Sequence, residues 1–287
     1  SGSGISRQVR PDAPVSDAES PKTVSAPEAM PTRFVCYLCS TCVATSDSLV
    51  DSRDDVVVFS RLYPRDSGDR ASRTVLCPDC ETAVGTRGEG NYILRRERVE
   101  QRLERLDILV CSLKQQEISE VTPVLTQVFP HSHVRSKILL KAELRGFQLT
   151  GPAPDLVVVV HRNEGRVLLT DRNGFYHDVI GAAWQLTRGN VLVVLTKTEP
   201  KAEADLFDTG LLRSLSTHGD QPTIGAISAL GRVLTWGSAP STPQLKQLLA
   251  LMTKAYFREA PGNAPGLPGQ WIAKPMSKQS AAWCALL

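Results

Sequence analysis

The chain has 287 residues, of which 41% are hydrophobic and 22% charged, a composition typical of globular proteins long enough for two domains. Its 33 basic and 30 acidic residues leave a formal net charge of +3, so overall charge does not indicate nucleic-acid or membrane binding. The longest apolar runs have the length of strands, and none approaches the roughly 18 residues of a membrane-spanning helix. Composition therefore excludes a generally basic protein and a membrane-spanning helix within this sequence.

Residues 1–33 are rich in proline, serine and alanine and contain almost nothing large and apolar to bury. We predict a disordered arm. The segment lacks the charged and then apolar pattern of a secretory signal, and Asp12, Asp17 and Glu28 are atypical of an acid-poor transit peptide. The expected setting is therefore intracellular, either nuclear or cytoplasmic, where thiols stay reduced.

Two C-x-x-C pairs lie in residues 34–91, in the stretches FVCYLC and VLCPDC. Between them, 54–63 is a strand candidate, so we predict a small β-rich module. In a reducing compartment, such pairs indicate metal ligands rather than disulfides. The four predicted zinc ligands are Cys36, Cys39, Cys77 and Cys80.

Four thiolates fill the tetrahedral shell of zinc and leave no position for a catalytic water. We therefore expect one structural zinc ion per chain, with folding of the module coupled to metal binding. Other interpretations are two chance pairs of core cysteines and a redox dithiol. Cys42 extends the first pair to C-x-x-C-x-x-C, which makes it a possible substitute ligand and also suggests an iron–sulfur cluster.

The pattern F-x-C-x-x-C followed by Asp47, Ser48 and Leu49, with a later C-x-x-C-x-x-x-V-G ending at Gly85, resembles the Yippee-like β-tent domains. These include the Yippee proteins, the Mis-eighteen centromere-licensing proteins and the cereblon thalidomide-binding domain. The resemblance covers residues 34–106 and is strongest to Mis-eighteen. It implies one structural zinc held by the two cysteine pairs between antiparallel sheets, a binding or dimerisation platform, and a close turn at Gly85. A coiled coil would follow this domain in a Mis-eighteen protein, whereas this sequence continues differently.

Residues 92–106 place apolar side chains, among them Leu94, Val99 and Leu106, at near-helical spacing between arginines and glutamates. This spacing predicts an amphipathic linking helix.

From residue 107 to 260, strand-like apolar runs alternate with helical patterns, which predicts an α/β domain. Thr242 as the cap and Pro243 in the first turn predict the start of its last helix. Residues 261–287 are predicted to be a flexible tail in which Trp271 is exposed. The expected fold class is α+β and multidomain: a zinc-bound, β-tent-like module, then an α/β domain, with disordered tails.

Residues 107–160 also resemble the half-repeats of Brix and anticodon-binding α/β modules. The stretches LDILVCSL, VFPHSHV and PDLVVVVHR follow their order of strand, helix and strand. This resemblance favours an RNA-associated function.

The usual signatures of catalysis are missing from the sequence. Neither phosphate-binding glycine pattern occurs, and the hydrolase G-x-S-x-G is also absent. His161, His177 and His218 are scattered, and adjacent side chains such as His177 and Asp178 point apart on a helix. We predict no enzymatic activity and ordinary surface or capping roles for these histidines.

A local basic cluster follows Pro130: Arg135, Lys137, Lys141 and Arg145. On the predicted helix, Lys137, Lys141 and Arg145 share one face, which could bind phosphates or could simply be solvated. The main hypothesis is a non-enzymatic scaffold or adaptor, a protein–protein platform in a larger assembly, with chromatin as one setting. The alternative is an RNA- or ribonucleoprotein-associated binding module in ribosome or RNP assembly.

The sequence ends with Cys284, Ala285, Leu286 and Leu287, which fits the C-a-a-X pattern of geranylgeranylated proteins. Prenylation of Cys284 is the one predicted route to a membrane. Few basic residues accompany it, so such anchoring would be marginal.

Overall fold

The computed structural model describes residues 33–36, 42–62, 73–77, 81–102, 105–149, 153–164, 169–171, 174–257, 259, 261 and 265–271. It contains both helices and sheets. Strands up to residue 102 form two antiparallel sheets, called here the antiparallel region, and residues 105–271 surround one parallel sheet, called the parallel region. No helix in the described part of the chain is both long enough and apolar enough to cross a membrane. The predicted arm to residue 32 and the tail from residue 272 lie outside the described residues, and the predicted prenylation site Cys284 lies in that tail.

A three-stranded antiparallel sheet of order β2-β1-β8 opens the antiparallel region. Its strands are β1 Arg33–Cys36, β2 Cys42–Thr45 and β8 Val99–Arg102. Successive side chains of a strand point to opposite faces. Phe34 and Cys36 accordingly belong to the core of this region, whereas Arg33 and Val35 are buried on the other face of β1.

A five-stranded antiparallel sheet of order β3-β4-β7-β6-β5 completes this region. Its strands are β3 Leu49–Ser52, β4 Val56–Phe59, β5 Thr74–Leu76, β6 Ala83–Arg87 and β7 Tyr92–Arg95. The two sheets share one hydrophobic core. Within it the rings of Phe34 and Phe59 meet edge to face, with centroids 4.8 Å apart.

The predicted linking helix over residues 92–106 is wrong. The segment forms β7, a short 3₁₀ turn at Arg96–Arg98, and β8, and β9 begins at Leu106. Leu94 pairs with Val57 in one sheet, whereas Val99 pairs with Cys36 in the other. The segment crosses from one sheet to the other. Its apolar residues therefore belong to two different strands, and their spacing resembles that of a helix by coincidence.

The parallel region is a five-stranded sheet of order β10-β9-β11-β12-β13. Its strands are β9 Leu106–Ser112, β10 Ser132–Ile138, β11 Leu156–Arg162, β12 Val191–Thr196 and β13 Val233–Trp236. Its helices are α1 Gln115–Val128, α2 His177–Thr187, α3 Thr209–Arg213, α4 Pro222–Ala229 and α5 Thr242–Tyr256. All pairings are parallel, so the predicted α/β alternation is present.

Helices cover both faces of this sheet, which explains why its central strands are nearly continuous apolar runs. Val158 and Val160 pack with α1 and α5 in one cluster. Val157 and Val159 pack with α2 and α4 in another. The two clusters alternate along β11, as a doubly wound sheet requires.

The N-cap of α5 lies one residue before the predicted cap. Ser241 is the N-cap, and its backbone N–H donates a hydrogen bond of 2.8 Å to the side-chain Oε1 of Gln244, the contact that a capping box places at this position. Thr242 is instead the first residue of the helix, and Pro243 follows in the first turn.

The prediction that Trp271 is exposed is wrong. Its side chain is buried against α2, 5.0 Å from the ring of His177 and 6.3 Å from that of Trp184 between centroids. Gly181 permits this packing, because a Cβ there would lie 2.5 Å from Trp271 Nε1. Composition predicted a flexible segment, but the Trp271 side chain packs against α2 at Gly181.

Candidate functional site

Two of the four predicted zinc ligands lie in the core of the antiparallel region. Cys36 ends β1 in the three-stranded sheet, and Cys77 follows β5 in the five-stranded sheet. Both side chains are buried in the same hydrophobic cluster. Cys39 and Cys80 lie outside the described residues. No three His, Cys, Asp or Glu side chains of the described residues converge on a metal site, and that set holds only half of the predicted ligands.

The backbone around Cys77 forms a tight hydrogen-bonded turn. The Cys77 N–H donates to the Thr82 carbonyl oxygen at 2.8 Å, and the Glu81 N–H donates to the Cys77 carbonyl oxygen at 3.1 Å. Glu81 adopts the left-handed conformation with φ of 55°. These bonds tie Cys77 to the residues that precede β6.

Gly85 does not lie in the turn that the resemblance implied. It is inside β6, paired with both Val75 and Leu94. A Cβ at this position would lie only 2.1 Å from the Ile93 carbonyl oxygen. Glycine is therefore required by the close approach of two strands, not by a turn.

Cys42, the possible substitute ligand, lies outside the buried cluster that holds Cys36. Its Sγ is 3.4 Å from the Ala44 carbonyl oxygen, to which it donates a hydrogen bond. Burial raises the pKa of the Cys42 thiol to about 12, although Arg33 opposes the shift. Cys42 lies apart from the cluster that holds both Cys36 and Cys77.

The antiparallel region contacts the parallel region through the buried side chain of Arg33. Its guanidinium donates to the backbone carbonyl of Tyr256 and, at 3.2 Å, to that of Arg105. Each carboxylate oxygen of Asp155 lies 3.5 Å from one terminal nitrogen of Arg33, which is long for a hydrogen bond. The two carbonyl contacts therefore hold Arg33, and one of them satisfies the end of α5.

A crevice lies at the carboxyl ends of the strands of the parallel sheet. β10 lies on one side of β9 and β11 on the other, so the direction of winding reverses between β9 and β11. In doubly wound sheets, ligands bind at the carboxyl ends of the strands beside such a switch. The crevice has a volume of about 460 Å³, within the usual size range of small-molecule sites.

Charged side chains cross the crevice as a linked group. The Lys114 ammonium lies 2.9 Å from one oxygen of Glu164, and Arg162 Nε lies 2.7 Å from the other. The hydrogen bond from Lys114 lowers the pKa of Glu164, and the same bond raises the pKa of Lys114. Both carboxylate oxygens are thus engaged by cations.

A buried polar network lies beneath the crevice. The Ser112 hydroxyl donates to the carboxylate of Glu117, and His161 Nδ1 is 3.1 Å from the Tyr176 hydroxyl. Burial, followed by the charge of Glu117, raises the pKa of Tyr176. Burial, followed by the charge of Lys114, lowers the pKa of His161, so its imidazole is neutral near pH 7. Ser112 is fully buried, so its hydroxyl cannot attack a substrate in the crevice.

The pair His177 and Asp178 makes two separate sets of contacts. The His177 ring packs at a tilt against Trp271, and Asp178 accepts a hydrogen bond of 2.7 Å from the Gly146 N–H. They are adjacent on α2, as predicted, and do not act on one another. His218 lies in the π-helical turn Ser214–His218, away from both residues in the sequence.

The predicted basic helix is wrong. Arg135 and Lys137 lie in strand β10, and Lys141 begins the 3₁₀ turn Lys141–Glu143. Arg135 is 3.0 Å from the carboxylate of Asp107, whereas the Lys137 ammonium lies 4.8 Å above the ring of Phe147. These residues and Arg145 therefore do not form one helix face. Helical spacing was matched by chance, and pairing with β9 decides the conformation.

The sequence reasoning missed Arg33, which it placed in the disordered arm, and the network around Tyr176. A buried arginine gives no periodic signal, because its partners are backbone carbonyls distant in sequence. His161 did carry a signal. It follows a run of four valines at the end of a predicted strand, where ligand-contacting residues of parallel sheets collect.

No protein-family profile matches this sequence, and no curated protein matches it. Among solved structures, the chain is similar to a response regulator from Colwellia psychrerythraea, with 13% identity and a TM-score of 0.27. The likeness covers 54% of this chain and 98% of that chain. At that TM-score the likeness does not establish a shared fold or function. The class is defined by topology alone: a doubly wound parallel sheet joined to two antiparallel sheets.

Proposed function

We propose that this chain is a non-enzymatic adaptor, nuclear or cytoplasmic, with a structural zinc ion and a protein-binding crevice at the carboxyl edge of its parallel sheet. One observation carries the proposal. Ile138, Leu140 and Phe175 are large apolar side chains at the crevice, and they are 48%, 58% and 41% exposed. Neighbouring exposed apolar side chains bordered by charged residues are typical of surfaces that bind proteins.

The polar lining supports binding rather than catalysis. Both oxygens of Glu164 are held by Lys114 and Arg162, so this carboxylate is already neutralised. The carboxylate of Glu117 is buried and accepts from Ser112. General acid or base catalysis needs a titrating group within reach of substrate, and the two carboxylates of the crevice, Glu117 and Glu164, already have partners within the chain.

The zinc ion has a structural role in this proposal. Four thiolates from Cys36, Cys39, Cys77 and Cys80 would join the two antiparallel sheets of a separate domain. Cys36 lies on the same strand as Arg33, so metal binding at one end of β1 would position the contact with the parallel region at the other. The adaptor would thus present its two domains in a fixed relative orientation.

The alternative RNA-associated function has less support, because Arg135 of the predicted phosphate-binding set is engaged with Asp107. Lys141 and Arg145 are exposed and would remain as phosphate contacts. Nuclease treatment separates the two functions, since protein-mediated complexes survive it.

The test is affinity purification of the full chain from nuclease-treated cells, with quantitative mass spectrometry of the bound proteins. The double variant Ile138→Ser, Leu140→Ser is compared with Leu186→Ser, which changes an exposed apolar residue on α2. We expect the double variant to lose a subset of partners that the control retains. Retention of all partners by the double variant, or their release by nuclease, would contradict the proposal.

A further inference from the structure

Strand β10 lies at the open edge of the parallel sheet. Among the described residues it pairs only with β9, and its seven residues are in unbroken register from Ser132 opposite Leu106 onward. Edge strands leave alternate backbone groups without a strand partner. Such an edge is a template for one more strand.

The hydrogen bonds at the two ends of β10 show which residues face the open side. The Leu106 N–H donates to His131 O at 3.0 Å, and the Leu139 N–H donates to Ser112 O at 2.7 Å. Within a strand, the N–H and C=O of one residue point to the same side, and successive residues alternate. Odd-numbered residues of β10 therefore bond to β9. The backbone groups of Val134, Ser136 and Ile138 point to the open edge.

The two faces of this edge differ in character. Val134 and Ser136 line a groove of about 290 Å³ beside α1, together with Ile118 and Pro123. This groove leads toward Ile138, which lies at the crevice. Gln115, Ser119 and Thr122 also line this groove, so side chains of an added strand that point to this face would meet apolar groups interspersed with hydroxyl and amide groups.

The other face of the edge is basic. Arg135 and Lys137 lie two residues apart and so share this face. Asp107 offsets Arg135 at 3.0 Å, whereas the ammonium of Lys137 rests on the ring of Phe147. An added strand would be stabilised here by acidic side chains. A second copy of β10 would instead bring like charges together.

We propose that the open edge of β10 binds an extended acidic segment of a partner protein as a sixth strand of the parallel sheet. The segment presents acidic side chains to Lys137 and small apolar side chains to the groove beside α1. This inference rests on the proposed adaptor function and names the chemistry of one partner. Backbone hydrogen bonds supply affinity in such strand addition, and the alternating side chains supply specificity.

The first measurement uses the full chain and a capped peptide of alternating glutamate and valine, as long as the seven residues of β10. A peptide of alternating lysine and valine is its control. We expect fluorescence anisotropy to detect binding of the acidic peptide and no binding of the lysine peptide. Hydrogen exchange should slow at the amides of Val134, Ser136 and Ile138 on binding. The amides of Arg135 and Lys137, which are bonded to β9, should be protected with or without peptide.

Two variants separate strand addition from simple charge attraction. Ser136→Pro removes an N–H that faces the open edge, a position where edge strands tolerate proline. It should weaken binding about fivefold, the value of one hydrogen bond. Lys137→Glu should weaken binding about tenfold and remove its salt dependence. Lys246→Glu, an exposed charge reversal on α5, should change neither the affinity for the peptide nor its salt dependence. Circular dichroism confirms that each variant is folded.

Several outcomes would overturn the inference. One is the absence of peptide binding at low salt. Another is peptide binding without protection of the three amides. Binding of a uridine RNA oligomer with steep salt dependence and no response to Ser136→Pro would assign the basic face to nucleic acid. A dimer that dissociates on Ser136→Pro would assign the edge to a second copy. Loss of partners in the crevice variant with no peptide binding would overturn this inference and leave the adaptor proposal standing.

Discussion

The guanidinium carbon of Arg33 lies 4.2 Å from the ring centroid of Tyr256, and the same group donates to the Tyr256 backbone carbonyl. One side chain from β1 therefore stacks on the last aromatic residue of α5 and completes its hydrogen bonding. Replacing Arg33 by alanine removes these contacts and leaves the buried Asp155 carboxylate without its nearest cation.

We expect Arg33→Ala to lower the free energy of unfolding by about 3 kcal/mol, because two backbone carbonyls lose a charged donor and the Asp155 carboxylate loses a neighbouring cation. The antiparallel and parallel regions should then unfold in two steps during chemical denaturation. Arg61→Ala is the matched control, because its ion pair with Asp47 is exposed and should contribute less than about 1 kcal/mol. A single transition with unchanged midpoint for Arg33→Ala would refute the proposed role.

Zinc removal should affect one region only. We expect one zinc ion per purified chain, and Cys36→Ser or Cys77→Ser should abolish it, because three thiolates no longer complete the shell. Limited proteolysis should then cleave within residues 34–91 and leave the parallel sheet intact. Cys111→Ser, a change in β9, should keep the zinc. Metal-free wild-type protein would rule out the centre.

Gly85→Ala should destabilise the antiparallel region by about 3 kcal/mol, because the new methyl group must displace the Ile93 backbone. Gly88→Ala is the control, since the nearest atom to its Cβ is 3.7 Å away. Its effect should stay within about 1 kcal/mol. Thermal unfolding of both variants checks the difference, and equal midpoints would contradict it.

The half-buried imidazole of His161 should make stability depend on pH. Its folded-state pKa is lowered by burial, so the unfolded chain binds the proton more readily. Stability should therefore fall as the pH decreases below about 6.5, the ordinary histidine value. His161→Gln should reduce this loss, whereas the exposed His218→Gln should not. Urea denaturation at a series of pH values measures the free energy of unfolding. The same dependence on pH in the wild type, His161→Gln and His218→Gln would count against the assignment.

Gly181→Ala should expel Trp271 from its site on α2, because the added Cβ would lie 2.5 Å from the indole nitrogen. Tryptophan emission should shift to the red, and the chain near residues 265–271 should become sensitive to protease. Gly225→Ala in α4, where the nearest atom is 3.7 Å away, should be neutral or slightly stabilising. Unchanged emission in Gly181→Ala would show that the indole site adapts.

The sequence by itself determined the elements whose burial pattern is local. Four consecutive valines before His161 predict a strand covered on both faces, and β11 is such a strand. The apolar spacing and Pro243 predict α5, and the alternation of strands and helices predicts the α/β class. The two cysteine pairs indicate a metal centre from spacing alone, and this remains a prediction.

Only the tertiary structure decided elements whose partners are distant in sequence. Residues 92–106 and the segment at Lys137 both have helical spacing, yet strand pairing with β4, β1 and β9 makes them extended. Arg33 is buried because the carbonyls of Arg105 and Tyr256 accept its protons, and neither lies near it in the chain. Local propensity differs by only about 1 kcal/mol per residue between states, so long-range pairing and burial outweigh it.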